Sequence, residues 1–160
     1  MLINGVLQWV EDSSLASGIR QSTWLYPALE IVHISGIVLL VGAAFMFDLR
    51  LLSINNNISV NLLARFLLSW SRRGLLLIIP SGIFLFITNA TTLAYDPVFW
   101  IKMLLLLVAS LNALTFHRYT LRIISTSDQS ASLPIKAKLN AIISIIAWIG
   151  VITCGRLLAY

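Results

Sequence analysis

Glu30 and His33 are the residues that ask for a chemical explanation. They stand three apart in "ALEIVHISG", residues 28–36, and interrupt an apolar run from Trp24 to Phe47. At that spacing they share one helix face with Tyr26 and Ile37. If the run crosses a membrane with its outer end near Trp24, Glu30 lies about 9 Å deep and His33 about 13 Å, at ~1.5 Å per residue. Ionisable groups at such depth are costly unless paired or hydrated, so both should face a bundle interior or a wet cavity. A carboxylate there needs a cation or a proton. An imidazole there is either a hydrogen-bonded packing residue or, through one ring nitrogen, a ligand for iron.

Two cations match that depth. Lys102 sits near the front of a third apolar run and Arg156 near the end of a fourth. Glu30, Lys102 and Arg156 would then gather in one outer-leaflet site beside His33. Taken singly, Lys102 and Arg156 can also snorkel to the interface. Lys102, Leu106, Ala109, Ala113 and His117 follow at steps of three or four and form one face of the third helix. Its small residues allow close helix packing or leave room for a flat ligand, as Gly36 does one turn below His33. His117 is a second candidate iron ligand, with a solvated histidine at the membrane boundary as its bland reading. His33 and His117 on parallel helices differ in depth by about 15 Å, so they should not share one haem. Glu30-x-x-His33 also has di-iron spacing, but such sites draw further carboxylates from neighbouring helices. Asp48, Asp96 and Asp128 read as lying outside the spans.

The elements that must hold these residues follow from composition. Of 160 residues, 59% are hydrophobic and 11% charged. A soluble domain carries about 45–50% apolar and about 25% charged residues, so the solvent here should be a lipid bilayer. A span needs about 20 apolar residues. Four runs qualify, at about 24–47, 74–93, 98–116 and 139–158. "SINNNIS" (53–59), "YDP" (95–97) and "STSDQSASLP" (125–134) read as connections. The fold class is all-α: an integral membrane four-helix bundle over 21–160, preceded by an amphipathic interfacial helix over 1–20. Leu2, Ile3, Val6, Leu7 and Val10 form the apolar face of that helix.

The net charge of +5 bears on orientation. Arg50, Arg65, Arg72, Arg73, Arg118, Arg122, Lys136 and Lys138 fall on one side, against Arg20, Lys102 and Arg156 on the other. The positive-inside rule then puts both termini outside, in the periplasm of a bacterial inner membrane. Basic residues scattered between apolar runs make no stripe for nucleic acid. The single cysteine, Cys154, excludes an intrachain disulfide.

Three stretches resemble the haem-containing membrane protoporphyrinogen oxidases of the HemJ type and the wider CopD-like membrane proteins. They are "HISGIVLLVGAAFMFDLR", "SRRGLLLIIPSGIFLF" and "FWIKMLLLLVASLNALTFH". The resemblance implies that His33 binds haem b and that Lys102 matters for activity. Glu30, the amphipathic N-terminus and the ending "GRLLAY" depart from the oxidase pattern. They look more like an uncharacterised family of four-span bacterial membrane proteins sharing an "LEXXH", "DLRLL" and "GRXXAY" appearance.

Three function classes follow. The first is a haem-b protein in electron transfer or oxidation, an oxidoreductase if an enzyme, with quinone or a porphyrin as partner. Its site would be His33 on the iron, with Lys102, Arg156 and Glu30 at the cofactor's outer edge and an unnamed sixth ligand. The second is a small transporter or proton relay using a buried Glu/Lys/Arg cluster, for which four spans imply a homo-oligomer. The third is a structural or assembly subunit without cofactor.

Overall fold

The computed structural model describes residues 2–52, 60–116, 118 and 135–159. His117, Arg122, Asp128 and the connections 53–59 and 125–134 lie outside the described residues. The described chain is helical: α1 (Leu2–Glu11), α2 (Ser14–Gln21), α3 (Leu25–Leu51), α4 (Val60–Thr88), α5 (Ala90–Tyr95), α6 (Pro97–Thr115) and α7 (Ile135–Leu157). Helices α3, α4, α6 and α7 are long and apolar enough to cross a bilayer.

The second span differs most from its sequence reading. It begins at Val60 and ends at Thr88, where 74–93 was expected. Its 29 residues are about 44 Å long, against a hydrocarbon core of about 30 Å. The stretch carrying Arg65, Arg72 and Arg73 therefore stays helical where it leaves the apolar layer. Hydropathy marks contact with lipid, whereas a helix ends where its hydrogen bonds end. Arg73 lies over the Trp70 ring at 4.8 Å, a pair suited to the headgroup zone. At the other end Asn89 leaves the helical region, with φ −142° and ψ 38°, and Ala90–Tyr95 forms a separate short helix. Asp96 then caps α6 by accepting from the Val98 amide at 2.7 Å, with Pro97 in its first turn.

The helices pack as two antiparallel pairs, α3 with α4 and α6 with α7, joined where α3 meets α7. Gly36 and Gly74 set the first pair. A Cβ on Gly74 would lie 2.8 Å from the Gly36 carbonyl oxygen and 2.9 Å from the Leu40 amide nitrogen. The space expected at Gly36 is therefore filled by the backbone of α4, the ordinary use of small residues between membrane helices. In the second pair, Leu105 closes on Gly150. Among the described residues no Cα of α6 comes within 8 Å of α3 or α4. The spans thus form an arc, α4–α3–α7–α6, whose two ends leave a gap of more than 8 Å between their Cα atoms among the described residues. That gap is bridged at one end by α5 and by Phe86 stacked on Phe99, centroids 5.5 Å apart.

The N-terminal segment is two helices rather than the one expected. The chain turns at Asp12–Ser13, where the Ser13 hydroxyl accepts from the Ala16 amide and caps α2. Both helices dock on the bridged end of the bundle. Arg20 donates to the Thr88 carbonyl at 3.0 Å, and Glu11 accepts from the Thr91 amide at 2.8 Å. Tyr95 donates to the Asn4 side chain. Ala16 and Ile19 are buried beneath, while Val6, Trp9, Leu15 and Trp24 stay exposed.

The Thr91 amide, and beyond it Arg20, hold the Glu11 carboxyl below its ordinary value of 4.5. An acid whose folded pKa is depressed stabilises the folded state above its unfolded value, and that contribution is lost as pH falls through the lowered one. Acidification below pH 4.5 should therefore loosen α1 from α5. Amide exchange at Thr91 should accelerate in that window. Glu11→Gln should remove the pH dependence, and an unchanged pH profile in that variant would refute the docking role.

Candidate functional site

His33 lies on α3 about 12 Å along from Leu25, and its ring rests against α4. The sequence "PSG", residues 80–82, explains why it can. Pro80 has no amide hydrogen and loosens the turn before it. The Ser81 hydroxyl donates back into that turn, to the Leu77 carbonyl, a common way for membrane helices to satisfy backbone near proline. Gly82 has no Cβ, and one placed there would sit 3.0 Å from His33 Cε1. The imidazole therefore fits against the helix backbone with Nδ1 2.9 Å from Ser81 Oγ.

Hydrogen-bond accounting assigns the tautomer. A serine hydroxyl has one hydrogen. That of Ser81 is engaged with Leu77, so its oxygen accepts from His33, and Nδ1 carries the proton. The Ile78 carbonyl lies 3.3 Å from the same hydroxyl. In the neutral ring Nε2 is then a bare lone pair, with no hydrogen-bond partner among the described residues. One nitrogen tethered and the other bare is the arrangement found in metal-bound histidines.

Lys102 lies across the gap on α6, within electrostatic reach of His33 and of Cys154 on α7. It is half-buried, and its ammonium sits 5.3 Å from the centroid of the Phe99 ring. No acidic side chain pairs with it among the described residues. All four spans therefore contribute to one region: His33, Ser81, Gly82, Lys102, Phe99 and Cys154.

Other candidates fall elsewhere. Glu30 is exposed and forms no ion pair with Lys102 among the described residues. The i, i+3 spacing leaves about 60° between the two side chains around the helix. That is enough to aim His33 at α4 and Glu30 outward. Arg156 is exposed in the last turn of α7. Ala109 is buried and Ala113 exposed.

Asp48, expected outside the spans, lies within α3 and is 5% exposed. Sequence reasoning placed it outside because the apolar run was ended at Phe47, one residue earlier. The apolar residues on both sides, in "FMFDLRLL", were the signal that the helix runs on. Ser81 was missed because its partner depends on how α3 and α4 register.

A membrane protein of four helical spans, with a histidine and a lysine that has no acidic partner among the described residues, is the class these observations define. The chain belongs to a family of unknown function, DUF6644, whose model matches residues 6–160. No curated protein and no solved structure matches it.

Proposed function

We propose that the protein binds one haem b in the gap between α4 and α6 and serves electron transfer or oxidation within the membrane, with a quinone as partner. The observation that carries this reading is the Ser81 hydroxyl, whose hydrogen is spent on Leu77 and whose oxygen holds His33 Nδ1–H, leaving Nε2 bare. The residues present fit such a group. His33 would supply a nitrogen to the iron, and Lys102, lacking an acidic partner among the described residues, would suit an anionic propionate. Haem supplies one-electron chemistry between ferric and ferrous iron. Ser81 fixes the ring, Gly82 admits it, and the bridging Phe86 and Phe99 limit water at that end of the gap. The resemblance of the quoted motifs to HemJ-type oxidases supports the same group and makes a porphyrin the alternative partner.

Protein purified from cells supplied with haem should show a Soret band, and a colourless preparation would defeat the reading. Ser81→Ala should bind haem roughly 10–100-fold more weakly, the usual effect of removing a hydrogen bond behind a ligating histidine. An unchanged affinity would mean that the tether does not matter.

The distribution of Lys and Arg supports a bacterial inner-membrane location with α1 and α2 on the outer side. Alkaline phosphatase fused after Tyr160 should then be active. Activity from a fusion near Asn56 would reverse the assignment.

A further inference from the structure

The end of the bundle away from α1 and α2 holds a second group with unspent chemistry. Asp48 lies on α3 about 22 Å from His33, counting 15 residues along the helix. Its carboxyl faces the Ser144 hydroxyl on α7, and its Oδ2 has no hydrogen-bond partner among the described residues. Both side chains are buried, at 5% and 8% exposure. Just beyond them Leu51, Val60, Ala137 and Ala141 form an apolar cluster, with Phe47, Leu52 and Phe116 packed against it. Phe47 and Phe116 meet edge to face, centroids 5.2 Å apart. This layer separates the carboxyl from the near end of the bundle.

The basic groups near that end do not neutralise it. Arg65 on α4, Lys136 and Lys138 on α7 and Arg118 beyond α6 are all exposed. Arg50 follows two residues later on α3 itself. None of these pairs with Asp48 among the described residues, and α2, which also packs on α3, contributes only Arg20 at the opposite end. A buried carboxylate with an unpartnered oxygen and no cation is strongly disfavoured against its neutral form.

We infer that Asp48 and Ser144 form a proton-binding site inside the bundle. The carboxylate takes one proton from water and becomes a carboxylic acid; no other bond changes, and the bundle loses one negative charge. The site is part of a polar strip. The carbonyl of Asn140, one turn before Ser144, accepts from the Asn112 side chain of α6 at 2.9 Å. Helices α3, α7 and α6 are thereby linked by polar groups at the level where the proton resides. The inference stands on Asp48 alone and is independent of haem.

Infrared pH-difference spectra of the full chain in lipid vesicles test it. The wild type should show the carbonyl stretch of an un-ionised carboxylic acid at neutral pH, and Asp48→Asn should lose it while keeping its helical circular dichroism. Ser144→Ala should keep the band and move it to higher frequency, because the carboxyl loses its hydroxyl neighbour. This variant carries the test if Asp48→Asn fails to fold. No acid band in the wild type, a band that persists in Asp48→Asn, or an unmoved band in Ser144→Ala would overturn the assignment.

Discussion

Gly74→Leu is expected to destabilise the protein more than any other single change at a helix contact. The Cβ alone would meet the Gly36 carbonyl at 2.8 Å and the Leu40 amide at 2.9 Å, and neither backbone atom can turn aside as a side chain does. Helices α3 and α4 would have to separate, and leucine's remaining atoms would widen the gap. Overpacking a well-packed site costs about 1–3 kcal/mol, and here it also strains the His33–Ser81 contact two turns away. Gly42→Ala is the matched control, because a Cβ there meets nothing within 4 Å. Thermal melts in detergent followed by circular dichroism should show a large fall for Gly74→Leu and none for Gly42→Ala. Equal melting temperatures would mean that the glycine contact does not hold the pair together.

His33→Ala is expected to abolish haem binding while leaving the fold almost intact. The two effects separate because of Ser81. When the imidazole is removed, the Ser81 hydroxyl keeps its bond to Leu77 and its contact with Ile78, so no buried donor is orphaned. The lost hydrogen bond is worth about 0.5–1.5 kcal/mol, and the truncated ring adds a cavity at a half-buried position. If His33 only packs, its removal should lower the melting temperature and change nothing else. If it ligates, pigment disappears at near-normal stability.

What was legible in the sequence follows from which physical quantity each feature depends on. Four spans were legible because the bilayer selects for apolarity, and apolarity is additive along the chain. The start of α4 was not, because Arg65, Arg72 and Arg73 stop the hydropathy signal without stopping the helix. His33 was legible as an anomaly of type at depth. Its orientation depended on Ser81 and Gly82, 48 and 49 residues away, brought opposite by the Gly36–Gly74 contact. Glu30 shares the anomaly but not the geometry, since 60° around a helix separates an interior position from a surface one. The N-terminal amphipathic pattern was read as one helix lying on lipid. It is two helices, and their polar residues Glu11 and Arg20 also dock them on the bundle, which only the backbone groups of Thr88 and Thr91 reveal.

Titration of haem into apo-protein in lipid nanodiscs, wild type beside His33→Ala, tests the central claim most directly. The account predicts saturation at one haem per wild-type chain with a sharpened Soret band, and no saturable binding to His33→Ala. Wild-type protein that never saturates, or a His33→Ala variant that saturates at the same stoichiometry and affinity, would contradict it and return His33 to a packing role.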